Sequence, residues 1–312
     1  MAGRVVVLGS VNLDVVTEVA ALPGPGETVT ASRVRRNVGG KGANQAVAAH
    51  LLGAEVVFVA RVGDDPDSDR LRDDLAASGL DAAAVRTVAG RVAGSAYIAV
   101  AGAENTIVVD PGANHAWPDG LGPDAASVAS ASVLVLQQEV PDEVNRLAAA
   151  GTSARVVLNA APSRPVSPEL LARCDPLVVN VHELADQVRE LPGVRDVDLS
   201  DVQVAMGVLI ERGARSVVTT LGSDGAAWAT VSPGTGIDAG RVDAVAVDAV
   251  DSTGAGDAFV GALAAELAAG ADLADAVAWA AAAGSASVRA AGTHASYPDR
   301  ETVRGLLGWV AR

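Results

Sequence analysis

The sequence predicts an α/β fold: a mostly parallel β-sheet flanked by helices on both faces, with a small β-sheet lid attached. Three observations carry this reading. The chain opens on a continuous apolar run, Arg4 to Leu8, closed by Gly9-Ser10, which is how a strand buried on both faces reads. From about residue 133 to 220, short apolar runs alternate with helical patterns, the rhythm of βαβ units. Two stretches, about 11–36 and 94–111, instead alternate apolar with polar residues and carry turn residues, as half-buried meanders do.

The elements follow in order. After the first strand, the meander over 11–36 is punctuated by Pro23, Gly24, Pro25 and Gly26. Residues 42–52 read as a helix, with Gly53 in the C-terminal cap position. A strand over 55–62 and a charged amphipathic helix over 67–78 come next, and the alternation over 94–109 predicts a hairpin turning around 101–105. Strands at 133–136, 155–158, 177–179 and 216–220 then alternate with helices near 142–150, 167–173, 182–190 and 200–212. Strands near 226–231 and 242–249 and helices at about 255–269, 273–290 and 299–310 complete the chain. The 312 residues read as a single α/β domain. The two alternating patches are too short to fold alone, so they form a lid that shields a site or pairs with a second subunit.

Composition narrows the function. Half the residues are hydrophobic, enough for a sizeable core, and the formal net charge is -15. That charge argues against a nucleic-acid groove and against an anionic membrane surface. No apolar run reaches the length of a membrane span, and the first strand follows directly on Met1-Ala2-Gly3, so a cytoplasmic location is expected. The single cysteine, Cys174, excludes an intrachain disulfide and a cysteine-based zinc cluster, and reads as a small apolar residue. His50, His115, His182 and His294 lack metal-ligand spacing. Among 23 basic residues only Lys41 is a lysine, and it stands inside Gly39-Gly40-Lys41-Gly42. A glycine-lined pocket accepts a compact ammonium where the wide guanidinium fork does not fit; chance survival of one lysine is the alternative.

The stretch Asp251-Ser252-Thr253-Gly254-Ala255-Gly256-Asp257-Ala258-Phe259 precedes an Ala-rich helical run. Glycines at a helix start let backbone N–H groups gather around an anion, which the helix dipole also favours. An aspartate there repels a resting phosphate, yet suits the removal of a proton from a hydroxyl attacking that phosphate. The pairing reads as phosphoryl transfer to an alcohol; an ordinary glycine turn capped by Asp is the competing reading. Polar residues also cluster after the strands: Asn12 and Asp14, Gln137-Gln138-Glu139, Asn180 to Glu183, and Leu221 to Gly225. In open α/β sheets this is where ligands bind. Asn12, Asp14, Lys41, Asn44 and Glu139 suit a polyhydroxylated ligand, although Asn12 and Asp14 alone also suit a turn. Asn180 and Glu183 fit a helix N-cap with its capping-box partner, and Glu183 also fits a role orienting hydrated Mg²⁺ beside phosphates. Neither a P-loop nor a Gly-x-Gly-x-x-Gly fingerprint is present.

Three motifs together give a resemblance. Gly9-Ser10-Val11-Asn12-Leu13-Asp14, Asn37-Val38-Gly39-Gly40-Lys41-Gly42-Ala43-Asn44-Gln45-Ala46 and Asp251 to Phe259 resemble the sugar-binding opening and the two signatures of the ribokinase-like carbohydrate kinases. The resemblance covers essentially the whole chain. It implies ATP-dependent phosphorylation of D-ribose at the 5-hydroxyl, with Asp257 as general base and the N–H groups of Gly254, Ala255 and Gly256 as anion hole. It implies sugar contacts from Asn12, Asp14, Gly40, Lys41, Asn44, Glu139 and Asp257. ATP is implied at Asn180, at Thr220, Leu221, Gly222, Ser223, Asp224 and Gly225, and at Gly256. Mg²⁺ would accompany ATP near Glu183. An activating K⁺ is implied among Asp251, Thr253, Ser287, Ala290, Gly292 and Ser296, largely through backbone carbonyls. A homodimer joined through the β lid is implied as well. Val181-His182, Ala281 near the expected adenine and the bulky Tyr97 in the lid depart from the family pattern. A nucleoside kinase of the same fold and a non-catalytic sugar sensor stand as alternatives.

Overall fold

The computed structural model describes residues 3–102, 104–191, 193–194, 197–232, 234 and 236–308. Strand β1 (Arg4–Leu8) is fully buried from Val5 to Leu8. The chain then leaves for a second sheet as β2 (Asn12–Glu18) and β3 (Arg33–Gly39), and α1 (Lys41–Leu51) returns it to β4 (Glu55–Val62). Helix α2 (Pro66–Ala77) is started by Asp65, whose carboxylate accepts from Ser68 N–H, with Pro66 in the first turn. After the short β5 (Val85–Thr87), strands β6 (Gly94–Ala101) and β7 (Glu104–Asp110) complete the second sheet.

The regular part alternates as expected: α3 (Ala125–Ala129), β8 (Val133–Gln137), α4 (Asp142–Ala150), β9 (Arg155–Asn159), α5 (Pro168–Leu171) and β10 (Cys174–Asn180). Helices α6 (Val181–Arg189) and α7 (Val202–Glu211) lead to β11 (Ser216–Thr220) and the hairpin β12 (Ala226–Ser232) and β13 (Gly236–Val242). Helices α8 (Ala255–Ala269), α9 (Leu273–Ser287) and α10 (Arg300–Leu306) finish the fold.

The main sheet has nine strands in the order β13-β12-β11-β10-β9-β8-β1-β4-β5. From β5 to β11 every pairing is parallel, and β12 and β13 form an antiparallel edge. Alternate residues of β1 feed two cores. Val5 and Val7 pack with residues of α1, α8 and α9, while Val6 and Leu8 pack with residues of α4, α6 and α7. Burial on both faces is why these strands read as unbroken apolar runs. The strand order reverses between β1 and β8, which opens a crevice at their carboxyl ends. Helix α8 closes on α1 because Gly261 has no side chain: a Cβ there would stand 2.6 Å from Gln45 O and from Ala48 Cβ. The second sheet, of order β3-β2-β6-β7, is joined to the main one through the β1–β2 and β3–α1 connections.

The structure revises several expectations. Strand β5 and helix α3 are short and carry no period strong enough to read. The alternating stretch 242–249 does not form a strand: only Val242 belongs to β13, and 243–249 runs without ladder partners. Its small apolar residues instead wall a cavity described below. Helix α9 stops at Ser287, and the carbonyl of Val288 accepts the N–H groups of Val250 and Asp251. The first lid patch runs on to Gly39. The expected turn at 101–105 includes Ala103, and the expected helix end at 310 lies beyond 308; both fall outside the described residues.

Candidate active site

The Gly39–Gly42 turn lies directly against residues 10–12. Gly40 caps α1 at φ 87°, and a Cβ on it would approach Asn12 N to 2.9 Å. One on Gly42 would come within 2.5 Å of Ser10 N. Glu139, just past β8, closes the junction at the switch point. Its Oε2 accepts Ser10 Oγ–H at 2.5 Å and Lys41 N–H at 2.9 Å. Burial opposes the charge on Lys41, but Asp257, Glu139 and Glu183 outweigh it and hold its pKa above the usual lysine value. The side chain of Asn12 is fixed by Asn114, whose Nδ2 donates to Asn12 Oδ1 at 2.7 Å. Asn114 also pairs with both backbone groups of Val11, as a neighbouring strand would.

Asp14 carries a cost that has a pH signature. Burial, with repulsion from Glu139 and Asp257, raises its pKa from 3.8 to about 7. Between these values the folded chain holds a proton that the unfolded chain has lost, so stability falls as pH rises through the window. The full cost, present above the folded pKa, is on the order of 4 kcal/mol before solvent screening. Asp14→Asn removes it. The variant should melt several degrees above the parent at pH 8, and the two should converge near pH 4. A melting difference equal at both pH values would reject the assignment.

Asp257, in the first turn of α8, is 8% exposed. Asn44 Nδ2 donates to its Oδ2 and Gln45 Nε2 to its Oδ1, both at 2.9 Å. Gln45 also donates to Asn159 Oδ1 at 3.0 Å and accepts from Gln137 Nε2 at 2.8 Å. The base candidate is thereby tied to the ends of β8 and β9. Asn44 Oδ1 lies 2.9 Å from His294 Nε2; burial lowers the pKa of His294 to about 4, against the pull of Asp257 and Asp74. The buried hydroxyl of Tyr297 has no hydrogen-bond partner among the described residues and lies 2.8 Å from where a Cβ on Gly254 would stand. Sequence reasoning gave no role to Ser10, Gln45, Asn114, Asn159, His294 or Tyr297, and counted Gln137 only within the polar group after its strand. One signal was available for Asn159, which ends an otherwise apolar strand run.

On the other side of α8 is a cavity of about 560 Å³. Thr220, Gly222, Ser223, Gly225, Gly256 and Ala281 line it, with the 244–247 segment as an apolar wall. Ala255 and Gly256 face this cavity, although Ala255 N–H is donated to Ser252 O at 3.2 Å. Gly254 takes the left-handed conformation at φ 77° that starts α8. Leu221 and Asp224 line a neighbouring groove instead, where Asp224 pairs with Arg241 at 3.8 Å. Asn180 and Glu183 do form the capping box of α6: Asn180 Oδ1 accepts Glu183 N–H at 2.9 Å, and Glu183 Oε2 accepts Asn180 N–H at 2.8 Å. Burial raises the pKa of Glu183, while Asn180 N–H and Lys41 pull it down. The bulk of Tyr97 does not share a face with Asp14. It is 54% exposed, and Asp14 pairs with Ala96, so the Tyr97 ring falls on the opposite face from Asp14.

Of the remaining predicted residues, Asp251 holds Thr253 and Gly292 directly. Its Oδ1 accepts Thr253 N–H at 2.9 Å and Thr253 Oγ–H at 2.6 Å, and its Oδ2 accepts Gly292 N–H at 2.9 Å. Burial pushes its pKa up, but these donors prevail and keep it below the usual carboxylate value. Ser296 Oγ donates to the carbonyls of Gly292 and Thr293, both at 2.8 Å, and Ser287 Oγ to Gly284 O at 2.9 Å. Among the described residues no cluster of three or more His, Cys, Asp or Glu could hold a metal by itself.

A helix-start carboxylate among carboxylates and amides, next to a glycine-rimmed cavity, is what a kinase of small hydroxylated molecules requires. Residues 2–300 match the pfkB family of carbohydrate kinases, and the chain belongs to that family. It is 34% identical to a ribokinase of Haemophilus influenzae, covering 98% of this chain and 99% of that protein. It is 34% identical to a deoxyribokinase of Salmonella typhi as well, with 97% and 98% covered. Among solved structures it is similar to Arabidopsis thaliana ribokinase complexed with ribose and ATP: TM-score 0.88, 32% identity, covering 99% of this chain and all of the other.

Proposed function

We propose that this chain transfers the γ-phosphoryl group of ATP to the 5-hydroxyl of D-ribose, giving D-ribose 5-phosphate and ADP. The observation that carries the reading is Asp257, an acceptor-only carboxylate held by two amides at the N-terminus of α8. Asn12, Asp14, Gly40, Lys41, Asn44 and Glu139 supply the acceptors and donors that bind the sugar. Asp257 takes the 5-hydroxyl proton as the oxygen attacks the γ-phosphorus, and the bond to the bridging oxygen of ADP breaks. The N–H groups of Gly254, Ala255 and Gly256 stabilise charge on the phosphoryl oxygens, so catalysis rests on position and electrostatics. Thr220, Gly222, Ser223 and Gly225 hold the nucleotide beside the 560 Å³ cavity, with Asn180, Leu221 and Asp224 at its rim.

Glu183, through the oxygen that the capping box leaves over, would orient the water shell of a Mg²⁺ brought by the nucleotide, and that ion would neutralise phosphate charge. The donor set around Asp251 suits a monovalent cation: one anionic carboxylate, Thr253, and the carbonyl-rich stretch of Ser287, Ala290, Gly292 and Ser296. A K⁺ held by these residues would supply positive charge. Strand β7 is exposed at every position, with Ile107, Val108 and Val109 each more than half exposed on an edge. We assign it to a homodimer contact, which sedimentation velocity reads directly: a monomer at micromolar concentration refutes it. Among the described residues no helix is long and apolar enough to cross a membrane, in keeping with a cytoplasmic enzyme.

The deoxyribokinase relative motivates a second reading, 2-deoxyribose as substrate. Neither a nucleoside kinase nor a non-catalytic sensor is favoured. ADP release measured with ribose, 2-deoxyribose and adenosine, with Mg²⁺ and with or without K⁺, tests all of these. Ribose-dependent turnover that K⁺ raises several-fold is expected. Turnover on adenosine alone overturns the substrate, and ribose turnover indifferent to K⁺ removes the cation while leaving the sugar.

A further inference from the structure

We infer that His294 is a positioning residue for Asp257, acting through the amide of Asn44; this rests on the reading of Asp257 as the base. An ionised carboxylate only accepts, so Asn44 must turn its NH₂ toward Asp257 Oδ2, 2.9 Å away. Its carbonyl oxygen then faces His294, and the ring nitrogen 2.9 Å from that oxygen has to donate. His294 is therefore the Nε2–H tautomer. It sits in the 3-10 turn His294–Ser296, on the loop whose Gly292 N–H is held by Asp251. One chain of contacts thus runs from the Asp251 loop through His294 and Asn44 to the base.

Asn44 is only 6% exposed. Without the histidine donor its carbonyl oxygen is left buried and unpaired, a condition that drives side chains to rearrange. Rotation of the Asn44 amide would remove one of the two hydrogen bonds that orient Asp257. It would also turn away the second N–H of Asn44, which is free to meet a sugar hydroxyl.

The test combines kinetics with the unmodified protein. His294→Ala should lower kcat for ribose by about tenfold and leave KM for ATP within about twofold, a loss near 1.4 kcal/mol. His294→Gln, whose amide also donates, should recover activity to within about threefold. In the Asn44→Ala background, His294→Ala should cost no more than about a further twofold, because the two act as one unit. Losses that multiply, or a glutamine no better than alanine, overturn the proposal. Nitrogen-15 NMR of the native protein reads the tautomer without any variant: an Nδ1–H ring at His294 also overturns it. Should Asp257 prove dispensable, the base assignment fails on its own, while the tautomer and the coupling to Asn44 remain separately measurable.

Discussion

Asp257→Asn lowers kcat by about 10²–10⁴, the usual worth of a general base, while ribose still binds within a few-fold of the parent affinity. The structure adds a second expected effect. Asp257 accepts from Asn44 and from Gln45, one on each oxygen. Asparagine offers one acceptor and one donor, so a donor meets a donor on one side. Gln45 cannot turn without breaking its bonds to Asn159 and Gln137, and Asn44 cannot turn without losing His294. The variant should therefore lose about 1–3 kcal/mol of stability in addition to activity. Single-turnover kinetics and thermal melting measure the two effects separately. Turnover within tenfold of the parent would remove Asp257 from the base role.

Lys41 carries the second large effect. Asp257, Glu139 and Glu183 together hold it charged despite burial. Lys41→Met should reduce kcat/KM by about 10²–10³, or about 3–4 kcal/mol, because it removes a donor proposed for the sugar and leaves the carboxylates around it without their buried cation. Lys41→Arg should not rescue it, because a wide planar guanidinium fork does not replace a compact ammonium among the same partners. An arginine variant with near-parental kcat/KM would show that any cation serves. Since Lys41 is the only lysine in the sequence, an amine acylating reagent reports on it with little background. Ribose and ATP together should protect it.

Much of the fold was legible because its strands are buried on both sides. Runs such as Arg4–Leu8 and Ser216–Thr220 admit few other readings. The error at 242–249 has a definite cause. Period-two alternation specifies an extended chain with one apolar side, and 243–249 satisfies that by walling a cavity with no strand beside it. In the site, residues that the motifs carry were legible by chemistry: Asp257 by its place after two glycines, Lys41 by its isolation among arginines. The supporting amides were not. Gln45, Asn114, Gln137 and Asn159 lie in four separate regions of sequence, and nothing in any one region says that they meet. His294 was set aside because it had no metal spacing, a test blind to its actual contact with an amide. Asn180 and Glu183 show the opposite case, where the bland reading as a helix cap was realised in full and leaves one carboxylate oxygen for other work.

Asp257 and its partners come from opposite ends of the chain. The Asn44–Asp257 contact spans 213 residues and the His294–Asn44 contact spans 250. Contacts this distant cannot form while the chain is still gathering its local helices and hairpins, because closing so long a loop is an entropic cost that only the finished cores repay. During refolding, helical signal should therefore return well before turnover does. A collapsed chain with its helices in place but α8 not yet seated on α1 would contain every catalytic residue and have no catalytic site.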